Sequence, residues 1–87
     1  MAQYSVRIKT SAIKEIEAIS PKKERQRVVR RIAALGGEPR PGGCQTLAGG
    51  EDRYRVRQGR YRIVYRVDDA EEMVQIFKVG HRSSVYR

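Results

Sequence analysis

Eighty-seven residues at 10.0 kDa leave room for one small domain spanning 1–87, with one core. The chain has no apolar run near the roughly 18–20 residues that cross a bilayer, and its first residues, MAQYSVRIKT, lack the apolar stretch of a secretory signal, so a cytoplasmic protein with no membrane role is expected. Nineteen Lys+Arg against ten Asp+Glu give a net charge of +9, and fourteen of the nineteen are arginine, whose planar fork suits phosphate. Composition therefore points to a polyanion, either nucleic acid or an acidic protein. One cysteine excludes an internal disulfide, and Cys44 with the single His81 cannot make an ordinary structural zinc site, so no metal or cofactor is expected.

Tyr4 to Lys9 alternates apolar and polar residues, the pattern of a half-buried strand. Thr10-Ser11 offers an N-cap for a short helix carrying Ile13, Ile16 and Ile19. Ser20-Pro21 starts a second helix, with Ser as the cap and Pro as the first helical residue. That helix runs to about Leu35, with Val28, Ile32 and Leu35 facing inward and Val29 and Ala33 widening the stripe. Lys22, Lys23, Arg27, Arg30 and Arg31 make its outer face, and Gly36-Gly37 ends it.

The next stretch, GGEPRPGGCQTLAGG, holds six glycines and two prolines and excludes long regular structure. Cys44 there reads as a plug for an apolar gap rather than a catalytic thiol, and Leu47 as an anchor to the core. Three strands follow, over Arg53–Arg57, Arg60–Asp68 and Glu72–Val79, the first two joined at Gln58-Gly59 and the last two by an acidic turn. The expected architecture is α+β: an N-terminal strand, a two-helix hairpin, then a three-stranded antiparallel meander, with the helices on one face of the sheet.

Alternation assigns the faces. Tyr54, Val56, Tyr61, Ile63, Tyr65 and Val67 point one way; Arg53, Arg55, Arg57, Arg60, Arg62, Val64 and Arg66 point the other. A wet sheet face needs polar residues, and arginine guards edges well. Yet six arginines fall between Arg53 and Arg66 with no acid among them, and like charges on neighbouring strands repel. An anionic partner that completes the cluster explains this better than stability does. After the last strand, Gly80 permits a sharp exit that would swing His81, Arg82 and Tyr86 across the sheet's edge. Taken singly, His81 reads as a surface residue and Tyr86 as terminal packing. With the arginines they could hold a phosphate and flank it with a ring.

The run LAGGEDRYRVRQGRYRIVYRVDD followed by VQIFKVGHRSSVYR resembles the RelE/ParE superfamily of bacterial toxins, and the RelE branch in particular. The YRVRQGRYRIVY hairpin and the VGHRSSVY ending carry the resemblance, which covers essentially the whole chain. It implies the RelE-like microbial RNase fold and the toxin component of a type II toxin–antitoxin system. Toxins of this branch enter the ribosomal A site and cut mRNA, so inhibiting translation; the 2′-hydroxyl attacks the adjacent phosphate, leaving a 2′,3′-cyclic phosphate and a 5′-hydroxyl. By position, the resemblance makes Arg55 and Arg57 contacts to the message; Arg60 of the arginine face and Lys78 beside it complete the expected RNA-binding set. It makes Arg62 the group that stabilises the transition state, Arg82 a neighbour of the leaving oxygen, and Tyr86 a stacking residue with a part in proton transfer.

Many members have lysine where this chain has Arg55 and Arg57, and guanidinium hardly loses a proton. Proton transfer is therefore expected to fall on Tyr86, with His81 as the other candidate. No Glu–His or His–His pair lies in the arginine region, so alignment by the ribosome is expected, with little cleavage of free RNA. The implied partners are the ribosome and mRNA, with the helix stripe meeting ribosomal RNA, and a RelB-like antitoxin. That antitoxin is expected to be an acidic, partly helical segment that displaces or covers Arg82–Tyr86. Two other readings stand beside this one: a ParE-like inhibitor of DNA gyrase without nuclease chemistry, and a non-catalytic RNA-binding module.

Overall fold

The structure is a computed structural model that describes residues 3–47 and 52–81. Arg82 and Tyr86 lie outside the described residues. The elements are β1 (Ser5–Ile8), α1 (Thr10–Glu17), α2 (Lys22–Ala34), β2 (Gln45–Thr46), β3 (Arg53–Gln58), β4 (Tyr61–Asp68) and β5 (Met73–His81). The five strands form one mixed sheet in the order β1-β5-β4-β3-β2. The meander β3-β4-β5 is antiparallel and β1 lies parallel to β5; the two helices carry the chain from β1 at one edge of the sheet to β2 at the other. The α+β architecture read from the sequence is the one observed, extended by β2, a two-residue edge strand within the Gly/Pro-rich stretch that pairs with β3.

The core lies between the helices and one sheet face. Ala12, Ile16 and Ile19 come from α1 and its exit, and Val28, Ile32 and Leu35 from α2 and its exit. They meet Val56, Ile63, Tyr65, Val67, Val74, Ile76 and Val79 of the sheet. Each helix buries residues at i, i+4 and i+7, a narrow stripe, because each touches the sheet along one line. Ile13, expected inward, is consequently 42% exposed, and Val29, expected to widen the stripe of α2, is 48% exposed. Ala33 is exposed too, while Arg31, expected outward, is half-buried.

The helix starts differ from expectation for a shared reason. The Lys9 amide donates to the Ile76 carbonyl at 2.9 Å, which keeps Lys9 extended as the cap and makes Thr10 the first helical residue. In α2 the Pro21 carbonyl accepts from Glu24 and Arg25 at 3.0 and 3.3 Å, so Pro21 itself is the cap, and Ser20 lies one residue outside. Neighbouring backbone bonds set these caps, not side-chain oxygens. Gly36 ends α2 under close approach: a Cβ there would meet the Gln3 side chain at 2.9 Å and the Tyr4 carbonyl at 3.0 Å.

Gln58 pairs with Tyr61, so the hairpin turn is Gly59-Arg60, one residue later than the sequence suggests. Two-residue turns require a left-handed first position, and Gly59, at φ +59°, supplies it without strain. Arg60 therefore sits exposed at the tip rather than within the strand. Gly80 also departs from expectation. It pairs with Arg62 in the ladder, and β5 runs on to His81 instead of turning away.

β5 contains one irregularity that matters for the open face. Val64 pairs with Lys78 and Tyr65 with Ile76, so Phe77 is an extra residue, a β-bulge. Val74, Ile76 and Val79 are all buried, whereas Phe77 and Lys78 are both half-buried and share the other face. Glu15 of α1 supports this region, its Oε1 accepting from the Val79 amide at 3.0 Å.

Among the described residues no helix is long and apolar enough to cross a membrane. Ile76 is fully buried and Val29 nearly half exposed, which gives a direct check of the core. Ile76→Ala is expected to cost about 2–5 kcal/mol, and Val29→Ala no more than about 0.5 kcal/mol. Urea denaturation with an unchanged m-value checks both.

Candidate nucleic-acid interface

β3, β4 and β5 present their outward side chains as three rungs. The first is Arg57–Arg62–Gly80, the second Arg55–Val64–Lys78, and the third Arg53–Arg66–Gln75, which Arg7 of β1 extends. Rungs are two residues apart along a strand, roughly 6–7 Å. Arg57 faces Arg62 directly, and Arg53 faces Arg66. Such like-charge pairs are unfavourable in the isolated sheet. Among the described residues the ion pair on this face is Arg66 with Asp68, at 3.7 Å and at the far end from the first rung.

Arg55, Arg57 and Arg62 converge. With Gly43, Gln45 and Val56 they line a pocket of about 110 Å³, room for a phosphate-sized anion. Gln45, which sequence reasoning did not single out, holds Arg55 there: its Oε1 accepts from Arg55 Nε at 3.0 Å and from Nη2. The short strand β2 positions Gln45 opposite Arg55, and only the pairing register reveals that role. Lys78 lies across Val64 from Arg55, on the same face.

His81 is placed elsewhere. It pairs with Tyr61, whose ring it meets edge-on at a centroid distance of 6.0 Å. Since directly paired residues share a face, His81 lies on the Tyr61 side of the sheet and Arg62 on the other. Arg60 extends the cationic surface at the hairpin tip. Arg55, Arg57, Arg62 and Lys78 are thus brought together on one face, while His81 is not.

A polar clasp holds the Gly/Pro segment to the sheet beside this face. Arg40 donates from Nη1 and Nη2 to Asp69 at 3.2 and 2.8 Å, and from Nε to the Tyr54 hydroxyl at 2.9 Å. The Tyr4 hydroxyl donates to the same carboxylate at 2.6 Å. Tyr54 stacks on Tyr65, whose hydroxyl donates to the Pro39 carbonyl at 2.7 Å. Cys44 packs against the core as expected, whereas Leu47 is half-buried and tied by its amide to the Arg53 carbonyl. Burial pushes the Tyr65 phenol well above its ordinary value. The bonds from Arg40, then Tyr4, hold the Asp69 carboxyl below its ordinary range, and the Asp69 bond raises the Tyr4 phenol.

With this geometry in view, comparison with known proteins decides the family. The model of the ParE toxin of type II toxin–antitoxin systems matches residues 6–86. The chain belongs to the ParE/RelE family of type II toxin–antitoxin toxins. Among its relatives, Toxin RelG of Mycobacterium tuberculosis is 33% identical over 87 residues, covering 97% of each chain. The toxin–antitoxin complex RelBE2 of Mycobacterium tuberculosis contains a chain that is 30% identical, with a TM-score of 0.80 and 97% of both chains covered. The isolated E. coli RelE toxin is 28% identical, with a TM-score of 0.78 over 95% of this chain and 90% of that one. The family description is that of ParE, whereas these relatives are Rel toxins, so the branch resemblance seen in the sequence recurs chain by chain.

The clasp makes a pH prediction. A carboxyl whose folded value is depressed stabilises the fold above its ordinary value of 3.8, and that stabilisation is lost as pH falls through the lower folded value. Asp69→Asn is therefore expected to lower the urea midpoint at pH 7 and to flatten its fall on the acid side. Parallel denaturation series of both proteins from pH 7 to pH 3 check this.

Proposed function

We propose that the chain is a ribosome-dependent endoribonuclease that cleaves mRNA in the A site. The observation that carries the reading is the convergence of Arg55, Arg57 and Arg62 on one pocket, within a face whose arginines oppose each other across the ladder. A sheet that keeps like charges paired gains when a polyanion lies on it.

The chemistry follows from what this face can supply. The 2′-oxygen forms a bond to phosphorus, the bond from phosphorus to the 5′-oxygen breaks, and a 2′,3′-cyclic phosphate and a 5′-hydroxyl result. Negative charge grows on the pentacovalent phosphate, and fixed donors aimed at such charge are worth roughly 2.7–4 kcal/mol each. Arg62 takes this role, with Arg55 and Arg57 holding the flanking phosphates, Gln45 fixing Arg55, and Arg60 and Lys78 widening the contact. Arg82 acts at the leaving oxygen. One proton must leave the 2′-hydroxyl and one must reach the 5′-oxygen, and guanidinium does neither well. Tyr86 carries that transfer and stacks on the message; His81, on the Tyr61 side of the sheet, is the second candidate.

The partner that restrains this activity is a RelB-like antitoxin. The RelBE2 relative was solved as a toxin–antitoxin complex, which supports a heterocomplex here. An acidic, partly helical segment fits the basic sheet face and the exposed cations of α2, Lys22, Lys23, Arg27 and Arg30, and covers Arg82–Tyr86. The ParE description of the family favours one rival, inhibition of DNA gyrase.

Arg62→Ala is expected to slow ribosome-dependent mRNA cleavage by about 10²–10³-fold while leaving RNA binding largely intact. Cleavage and gyrase supercoiling assays run side by side separate the branches: loss of supercoiling with no mRNA cleavage would reassign the chain. For proton transfer, Tyr86→Phe is expected to abolish most cleavage and His81→Ala to leave most of it. Full activity in the double variant would remove both residues from the mechanism.

A further inference from the structure

We propose that Phe77, with Arg53 over its ring, is a nucleobase-stacking platform on the open face, separate from the phosphate pocket. The inference rests on the reading of this face as an RNA surface and adds a site for a base to it.

Phe77 is the one phenylalanine of the chain, and it is not in the core. The bulge in β5 puts it on the wet face. Strict alternation would give that face one side chain between Ile76 and Val79; the extra residue gives it two, Phe77 and Lys78, while Val74, Ile76 and Val79 stay buried. The ring is thereby left half-buried on the wet face instead of filling the core.

The ring's neighbours are cationic. The Arg53 guanidinium carbon lies 5.1 Å from the Phe77 ring centroid. Arg53 faces Arg66 across the ladder, and Lys78 follows Phe77 directly. A guanidinium lying over an aromatic ring, with further cations beside it, suits a single-stranded nucleotide: the base stacks on the Arg53–Phe77 pair, and the adjoining phosphates meet Arg66 and Lys78. A sheet that displays an aromatic residue among basic ones reads unpaired bases in this way elsewhere.

Position along the strands gives the platform its place in the reaction. Phe77 lies two to three residues from the Arg57–Arg62–Gly80 rung, roughly 7–10 Å. A base stacked on it belongs to a nucleotide next to the cleaved bond rather than at it. Stacking tolerates any base but favours purines for their larger face, so the platform biases which message sequence is cut.

The test uses the whole chain and a short single-stranded RNA with 2′-O-methyl sugars, which cannot be cleaved, at low salt. Phe77→Leu keeps an apolar side chain and removes the π-face; Phe77→Tyr keeps the face. Phe77→Leu is expected to bind roughly tenfold more weakly, with Phe77→Tyr near wild type and all three sharing one urea midpoint. An RNA with an abasic residue at the stacked position should bind wild type and Phe77→Leu equally. Equal binding of wild type and Phe77→Leu to the intact RNA overturns the platform while leaving the phosphate pocket standing. Loss of affinity for polyglutamate in Phe77→Leu, with RNA binding unchanged, assigns the ring to a protein partner instead. Failure of the wild type to bind RNA at all overturns the RNA reading of the whole face, and the platform with it.

Discussion

The pleat of β4 forces two opposite environments onto alternate residues, and the molecule is organised by that constraint. Ile63, Tyr65 and Val67 are fully buried against the helices and the Gly/Pro segment, while Arg62, Val64 and Arg66 face outward between β3 and β5. A slip of one residue would drive guanidinium groups into the core and the core into water. The register that builds the hydrophobic core therefore also aims the arginines. Core and interface are two sides of one ladder, so a variant that weakens the first moves the second.

Strain on the outer side is offset on the inner one. Arg57 against Arg62 and Arg53 against Arg66 repel, yet the strands bearing them are held by thirteen buried apolar side chains among the described residues. Support at the margins is polar. Gln45 steadies Arg55, and Arg40 and Asp69 tie the irregular segment to the strands that carry the face. The bulge with Glu15 beneath it lets β5 depart from strict alternation without losing the core.

Much of this was legible in the sequence, because period-two alternation over Arg53–Gln58 and Tyr61–Asp68 states the face of each residue outright. The helices were legible in existence but less so in aspect. Ile13 and Val29 are as apolar as their buried neighbours, and only the single line of contact with the sheet decides that Ala12 and Val28 turn inward instead. Gln45, the bulge and the placement of His81 depend on which residue of another strand lies opposite. For Gln45 and His81 no local pattern in a chain carries that information. The Val74, Ile76, Val79 spacing is the one trace the bulge leaves, and it is readable only once β5 is known to be a strand.

The parallel pairing of β1 with β5 has a temporal consequence. Ser5–Ile8 is made first, but its ladder partners, Met73 to Ile76, come more than sixty residues later. Until β5 is synthesised, β1 has no partner in the sheet and the apolar stripes of α1 and α2 lack most of their cover. Contacts this distant in sequence form late. The cationic face needs β3, β4 and β5 in register, so it is complete only when nearly the whole chain has been made. A ribosome making this chain would finish most of its work before the arginine face was whole.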